Sequence, residues 1–313
     1  MEKKLSYEEF MEYCVKNLGI VLKSDYEVKA NKVHRTDEWV IDSFSVQKIG
    51  KEKIKTLFEI HSKDIYLEYV DGKSLGDVIL DIINEIEKEF GKKIDIKVDL
   101  EQISEYSYMK DKLIIRAISY TDNKNLLKNH YFRRIEDIAL VLYVEAGNSS
   151  RGYATMKIPV TSMKGWDLEE AYETAMENTV KNNIPVFSPM ELLYSGDSIP
   201  ASKKYLMNEN YNFRPSILNT YRLSTDASIN GAMAVFFPGV LKRVAKILND
   251  DFYVVFLSIH EGMIHPMKKF DKSSLLSRAG DTKSINVMNA AEYLSSNLFA
   301  YYRDKETLEL AEL

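Results

Sequence analysis

The densest group of chemistry-bearing side chains in the sequence is Ser258, His260 and Glu261, within the run Ser258-Ile259-His260-Glu261. It closes an apolar segment, 252–259, whose length and β-branched and aromatic content predict a strand. Residues two apart on a strand share a face, so Ser258 and His260 fall together while Glu261 points away. A hydroxyl within reach of an imidazole is the pairing that makes serine nucleophilic, and it would suit a small-substrate hydrolase. The same residue types also end strands and hydrogen-bond locally, and spacing alone does not choose between the two, because a triad is defined by its geometry. Asp226, Asn230 and Gly231 lie upstream, in a predicted hairpin that would stand beside this strand, and they are the candidate binding residues.

His260-Glu261-Gly262-Met263-Ile264-His265 has the composition of a zinc-binding helix but not its spacing. That motif needs two histidines at i and i+4 on one helix face. Here they are five apart, with Gly262 between them and Pro266 behind, and on an extended chain they face opposite sides. His34, His61 and His130 are isolated, so no metal site is expected. The phosphate loops G-x-x-x-x-G-K-[ST] and G-x-G-x-x-G and the nucleophile elbow G-x-S-x-G do not occur. No cofactor is expected. Glu169-Glu170 and Asp250-Asp251 sit at predicted helix ends, where carboxylates have ordinary structural uses.

The chain has 313 residues and a formal net charge of −5, from 42 basic and 47 acidic residues. That balance argues against nucleic-acid binding by bulk electrostatics. Cys14 is the single cysteine, so no intramolecular disulfide forms; its place in a helical apolar pattern reads as core packing rather than as a nucleophile. The opening residues are broken by Glu8, Glu9, Glu12 and Lys16, which leaves no apolar core for an export signal. No run approaches the roughly 18 apolar residues of a membrane span. A cytoplasmic protein without a membrane partner is expected. Tyrosine is plentiful, with 20 copies; it suits recognition surfaces, and it also follows from an A+T-rich coding sequence.

The elements that must position these groups can be read from capping and periodicity. Ser6 with Glu9 forms a capping box for a first helix, with Gly19 as its stop. Segments 26–33 and 38–47 predict a hairpin. Leu75–Phe90 is an amphipathic helix, with Leu75, Val78, Ile79, Ile82, Ile83 and Ile86 on one face. Segments 112–120 and 138–146 predict strands with a short helix, 123–128, between them, and Gly147-Asn148 turns into a strand at 153–160. Asp167 caps a helix to about Lys181. Segments 217–223 and 232–237 predict strands joined by Asn230-Gly231, and Pro238 opens a helix to 248. After 252–259 the sheet continues at 262–266; 274–278 and 290–295 read as helical and 298–302 as a strand. The pattern is α+β, with antiparallel-rich mixed sheets and flanking amphipathic helices. The polar stretch 194–212, containing Gly196 and Pro200, places a boundary near 200. It separates an N-terminal α+β domain, 1–200, from a C-terminal one, 201–313, unless both form one compact unit.

The segments IEDIALVLYVEAGN (135–148), WDLEEAYETAMENT (166–179) and FSPMELL (187–193), and above all LSTDASINGAMAVFFPGVLKRVAKILNDDFYVVFLSIHEGMIHP (223–266), resemble a domain-of-unknown-function family frequent in gut clostridia and their mobile elements. The "NGA…DFY…SIHE" block carries most of the likeness. Phe256-Leu257 stands where that family has Pro-Ser. The resemblance implies an accessory gene of a phage, plasmid or integrative element.

Two function classes follow. The first is a non-enzymatic accessory protein of a mobile genetic element that binds a protein or ribonucleoprotein partner, for example as an inhibitor of a host defence nuclease such as a CRISPR effector. The alternative is a small-substrate hydrolase built on Ser258, His260 and Glu261, with Asp226 or Asn230 from the hairpin.

Overall fold

Helix α1 (Tyr7–Leu22) begins where Ser6 predicts. The Ser6 N–H donates to Glu9 Oε2 at 2.7 Å and the Glu9 N–H donates to Ser6 Oγ at 3.2 Å, the reciprocal pair of a capping box. Phe10, Cys14, Leu18 and Leu22 recur every four residues and are buried on one face. Gly19 does not stop the helix; the buried stripe carries the chain through it, since tertiary packing outweighs the propensity loss of one glycine.

The computed structural model describes residues 4–22, 26–34, 40–48, 57–90, 95–96, 102–149, 152–192, 205–285 and 292–311. The chain divides into two compact units, Met1–Asp95 with Asn148–Gly152, and Ile96–Gly147 with Tyr153–Leu313. The first unit holds α1, an antiparallel sheet of β1 (Tyr26–His34), β2 (Val40–Lys48) and β3 (Leu57–His61), then α2 (Ser62–Val70) and α3 (Leu75–Phe90). The predicted hairpin is β1–β2, in register from Tyr26↔Lys48 to His34↔Val40; its predicted turn, 35–37, lies outside the described residues. Val78, Ile79, Ile82 and Ile86 of α3 are buried, and Asp77, Asp81, Glu85 and Lys88 are exposed. These residues meet Phe10 and Leu18 of α1 and Phe44, Val46 and Ile60 of the sheet in one apolar cluster. Cys14 sits fully buried in that cluster, and burial pushes its thiol up to about 12, so it stays protonated and unreactive at neutral pH.

The strand β4 (Asp95–Ile96) leads into the second unit. Next come α4 (Tyr106–Met109), β5 (Leu113–Ser119), α5 (Lys124–Leu127), β6 (Phe132–Ile135), β7 (Ile138–Ser149), β8 (Gly152–Lys157), α6 (Leu168–Asn182) and β9 (Pro185–Pro189). After these follow β10 (Tyr221–Thr225), a 3-10 segment at Gly231–Phe236, α7 (Val240–Leu248), β11 (Phe252–Ser258), β12 (Glu261–Pro266), α8 (Lys272–Ile285), β13 (Leu298–Tyr302) and β14 (Thr307–Leu310). One sheet is built around β7, which pairs with β5, β6 and β8. The other runs β14-β13-β11-β12-β10-β9. The described residues thus form an α+β chain with three antiparallel sheets.

β5 alternates buried and half-buried residues along its length, with Leu113, Ile115 and Ala117 turned inward. They join Leu140 and Leu142 of β7, Ala171 and Ala175 of α6, Phe187 of β9 and Phe256 of β11 in a single core. Asp167 caps α6 as predicted, its Oδ1 accepting the N–H groups of Glu169 at 3.0 Å and Glu170 at 3.1 Å. The Asp250-Asp251 pair is spent on backbone too: Asp250 Oδ2 accepts the Lys268 N–H and Asp251 Oδ1 the Arg303 N–H, both at 3.0 Å.

Besides Gly19, further expectations differ from the structure. The strand expected at 217–223 begins only at Tyr221, after a turn at 217–218. The boundary near 200 falls inside the second unit: β9 and β10 flank it and pair from Tyr221↔Pro189 to Thr225↔Pro185. Of the polar stretch 194–212, residues 194–204 lie outside the described residues. β7 runs through Gly147 and Asn148 to Ser149 instead of turning there. The strand expected at 232–237 is the 3-10 segment, and of the helix expected at 290–295, residues 290–291 lie outside the described residues and 293–295 are irregular.

His265 on β12 is 4% exposed; its Nδ1 lies 3.2 Å from Thr220 Oγ1 and its ring packs edge-on against Phe270 at 4.8 Å. Burial, with Arg278 adding to it, holds its pKa down from 6.5 to about 4. Below pH 6.5 the unfolded chain takes up a proton that the folded chain refuses, so stability falls as pH drops from 6.5 toward 4 and this contribution levels off below that. The loss is up to about 3 kcal/mol. Thermal unfolding followed from pH 7 to pH 5 should show the falling Tm, and His265→Gln should flatten that slope.

Candidate functional site

β11 and β12 form a hairpin whose ends are Ser258 and Glu261, with Ile259 and His260 as its turn. The strand therefore stops at Ser258, and Ser258 and His260 are not neighbours on a strand face. Ser258 Oγ accepts the backbone N–H of His260 at 3.0 Å. The imidazole turns the other way. Its Nδ1 accepts the Asn230 N–H at 3.1 Å, and its Nε2 faces Glu292 Oε1 at 3.4 Å.

The rest of the turn is clamped from β10 and the loop after it. Ser224 Oγ donates to His260 O at 2.8 Å, and the Ala232 N–H donates to Ile259 O at 3.1 Å. From the opposite side the Ile259 N–H donates to Glu292 O at 2.7 Å. Glu261 Oε2 takes the Nε–H of Arg222, a close ion pair whose side chains are 11% and 21% exposed. Arg222 also donates to Ser224 Oγ and Ser228 Oγ, each at 3.2 Å.

Gly231 is what lets these parts meet. A Cβ there would lie 2.1 Å from Ser224 Oγ, 2.5 Å from His260 O and 2.8 Å from Thr225 N. Asn230 takes the left-handed conformation, with φ 53°, while Gly231 supplies the bare Cα for close approach. Asn-Gly is thus a packing device here and not a hairpin turn. The structure brings Ser258, His260, Glu261, Asn230 and Gly231 together. It uses Asp226 elsewhere: Asp226 Oδ1 accepts the Ile184 N–H at 2.9 Å and the Asp226 N–H donates to Ile184 O at 3.0 Å, which fixes the start of β9.

This cluster lines neither of two concave sites except through Asn230. A small recess of about 60 Å³ has Asn230, Arg116, Thr155, Asn183 and Met233 on its walls. The larger site is a groove of about 720 Å³. β6 contributes Arg133 and Arg134, α6 contributes Tyr172, Glu173, Met176 and Glu177, the 3-10 segment contributes Val235 and Phe236, and β14 contributes Leu308. Residues three and four apart on α6 share a face, so Glu173, Met176 and Glu177 stand in one row. The Arg133 guanidinium lies 4.0 Å from the Tyr172 ring centroid and pairs with Glu169 at 2.5 Å and Glu173 at 3.2 Å. Arg134 lies 4.1 Å from the ring centroid of Tyr120. Burial pushes the Tyr172 hydroxyl up to about 12, so it remains a neutral ring under the cation. No sequence motif marks this groove; its one signal is the row of α6 in which glutamates flank Met176.

Among the described residues no group of three or more His, Cys, Asp or Glu is placed to hold a metal ion, and no helix is long and apolar enough to cross a membrane. His130 Nδ1 is 2.6 Å from Leu126 O, a local contact.

Gly231→Ala should cost about 2–3 kcal/mol, because Ser224, Thr225 and the His260 carbonyl must all move. A urea midpoint shifted down at unchanged m value is the expected result. Glu261→Ala should cost about 2 kcal/mol by leaving Arg222 without its carboxylate, and Arg222→Met in the same chain should recover part of that loss.

No curated protein and no solved structure gives a match to the chain. The model of a family of unknown function (DUF5688) matches residues 7–303, which spans both units, and the chain belongs to that family.

Proposed function

We propose that this protein is a non-enzymatic binding protein that acts on a protein or ribonucleoprotein partner through the groove beside α6. The make-up of the groove carries the proposal: about 720 Å³, with half-buried Met176, Phe236 and Leu308 as apolar surface between arginines and glutamates. An apolar centre inside a charged rim is the anatomy of a protein interface. The rim is also pre-set by stacking and ion pairs, which lowers the ordering cost of binding. The hydrolase reading has less support, because Ser258 Oγ bonds the backbone N–H of His260 and not its ring, whose nitrogens face Asn230 and Glu292.

A narrower proposal has support from the sequence resemblance and from analogy alone: a cytoplasmic accessory protein of a mobile element that inhibits a host defence nuclease such as a CRISPR effector. The net charge of −5 favours contact with the protein part of such a partner over its nucleic acid.

Purified host nucleases mixed with the chain should include one that co-elutes with it 1:1 and keeps its intact mass. Met176→Glu, which places a charge on the groove surface, should weaken that complex at least about tenfold. Binding that is indifferent to Met176→Glu, or a partner found covalently altered, would count decisively against the proposal.

A further inference from the structure

We propose that Asn230-Gly231 is a modification site: a deamidation site that the folded chain holds shut and that alters the protein irreversibly once the surrounding clamp opens. The inference is independent of what binds the groove. Asn230 is the one asparagine of the sequence that glycine follows. That pair closes a ring most readily, because glycine has no side chain to shield its nitrogen or restrict its backbone. The Gly231 nitrogen gives its proton to a solvent base and attacks Asn230 Cγ. The N–Cγ bond forms, the Cγ–Nδ2 bond breaks and ammonia leaves, with a five-membered succinimide as product. Water then adds to either ring carbonyl and opens the ring. An aspartyl or an isoaspartyl residue is left at position 230. Water is consumed and ammonia released, and nothing is oxidised or reduced.

The fold blocks the first step. Ring closure needs the Gly231 nitrogen on the same side of the Cα–C bond as the Asn230 side chain. Asn230 has φ 53° and ψ 29°, which turns that nitrogen toward Asn230's own nitrogen and away from its Cβ. Reaching Cγ takes a large rotation of ψ, and contacts on both sides oppose it. The Asn230 N–H is held by His260 Nδ1 at 3.1 Å, and the Asn230 carbonyl accepts the Met233 N–H at 3.2 Å. Just beyond, the Ala232 N–H donates to Ile259 O at 3.1 Å. Gly231 itself is buried, pressed against Ser224 and the His260 carbonyl. Left-handed backbone at 230 and a bare Cα at 231 are what this packing demands, and both favour the reactive pair. The isoaspartyl product routes the main chain through the former side chain and adds a carbon to it, so position 231 no longer reaches its slot. The same segment ends in Phe236 on the wall of the groove, which is displaced with it.

The test incubates the full chain at neutral pH, folded and in guanidinium chloride, and follows it by peptide mapping and an isoaspartate assay. In guanidinium, conversion at position 230 should outpace that at every other asparagine. In the folded chain it should be slower by about a hundredfold or more, because a slow reaction tracks the open fraction. Glu261→Ala, which loosens the clamp, should raise the folded rate by about tenfold and leave the rate in guanidinium unchanged. Circular dichroism checks that this variant is folded. Asn230→Gly keeps a residue that accepts left-handed backbone and should abolish the signal at this position. Isoaspartyl chains isolated from the guanidinium reaction should refold with a lowered guanidinium midpoint or fail to refold. Three results would each overturn the proposal. The folded chain converts as fast as the unfolded one, or the folded rate is indifferent to Glu261→Ala, or isoaspartyl chains refold to the wild-type midpoint.

Discussion

The absence of one side chain, at Gly231, is the constraint on which the second unit depends. Ser224 Oγ and the His260 carbonyl occupy the space a Cβ would take. Because they do, the 3-10 segment Gly231–Phe236 can lie against β10, β12, β9, β5 and α7 at once. Gly231 through Val235 are buried there, which knits the two sheets of the unit into one core. Phe236 stacks on Phe256 of β11 at 5.8 Å with planes 11° apart, and it stands on the surface of the groove. A contact at one end of a six-residue segment therefore fixes the wall of the groove at the other.

This arrangement separates two jobs that a sequence motif tends to merge. The most chemistry-like residues, Ser258, His260 and Glu261, hold a hairpin turn against its neighbours, with Arg222, Ser224 and Asn230 as partners. The residues that shape the groove look ordinary: a methionine, a valine, a phenylalanine and charged side chains on a helix and an edge strand. Polar networks of the first kind specify a structure because each member is costly to leave unsatisfied. Surfaces of the second kind depend on shape, and here the rim is already set by stacking and ion pairs.

Local signals in the sequence were legible wherever a side chain acts on its own backbone. The Ser6–Glu9 capping box, the Asp167 cap, the stripe of α3 and the strand β5 all appear as read. Failures occurred where a distant contact overrides a local preference. Gly19 continues a helix because the neighbouring stripe is buried. Asn230-Gly231 carries a strong hairpin signature, yet its glycine answers to Ser224 and His260, seven residues before it and twenty-nine after it. Ser258 and His260 would share a face on a continuous strand, but the chain turns at Ile259-His260. The groove was illegible for a plainer reason, since it joins β6, α6, the 3-10 segment and β14, which periodicity describes one at a time.

The single thiol has a use that follows from where it lies. Cys14 is sealed between α1 and the apolar face of α3, and the second unit contains no cysteine at all. An alkylating reagent added to the native protein therefore meets sulfur only when the first unit opens. The rate of labelling becomes a clock for the opening of the unit that holds the thiol.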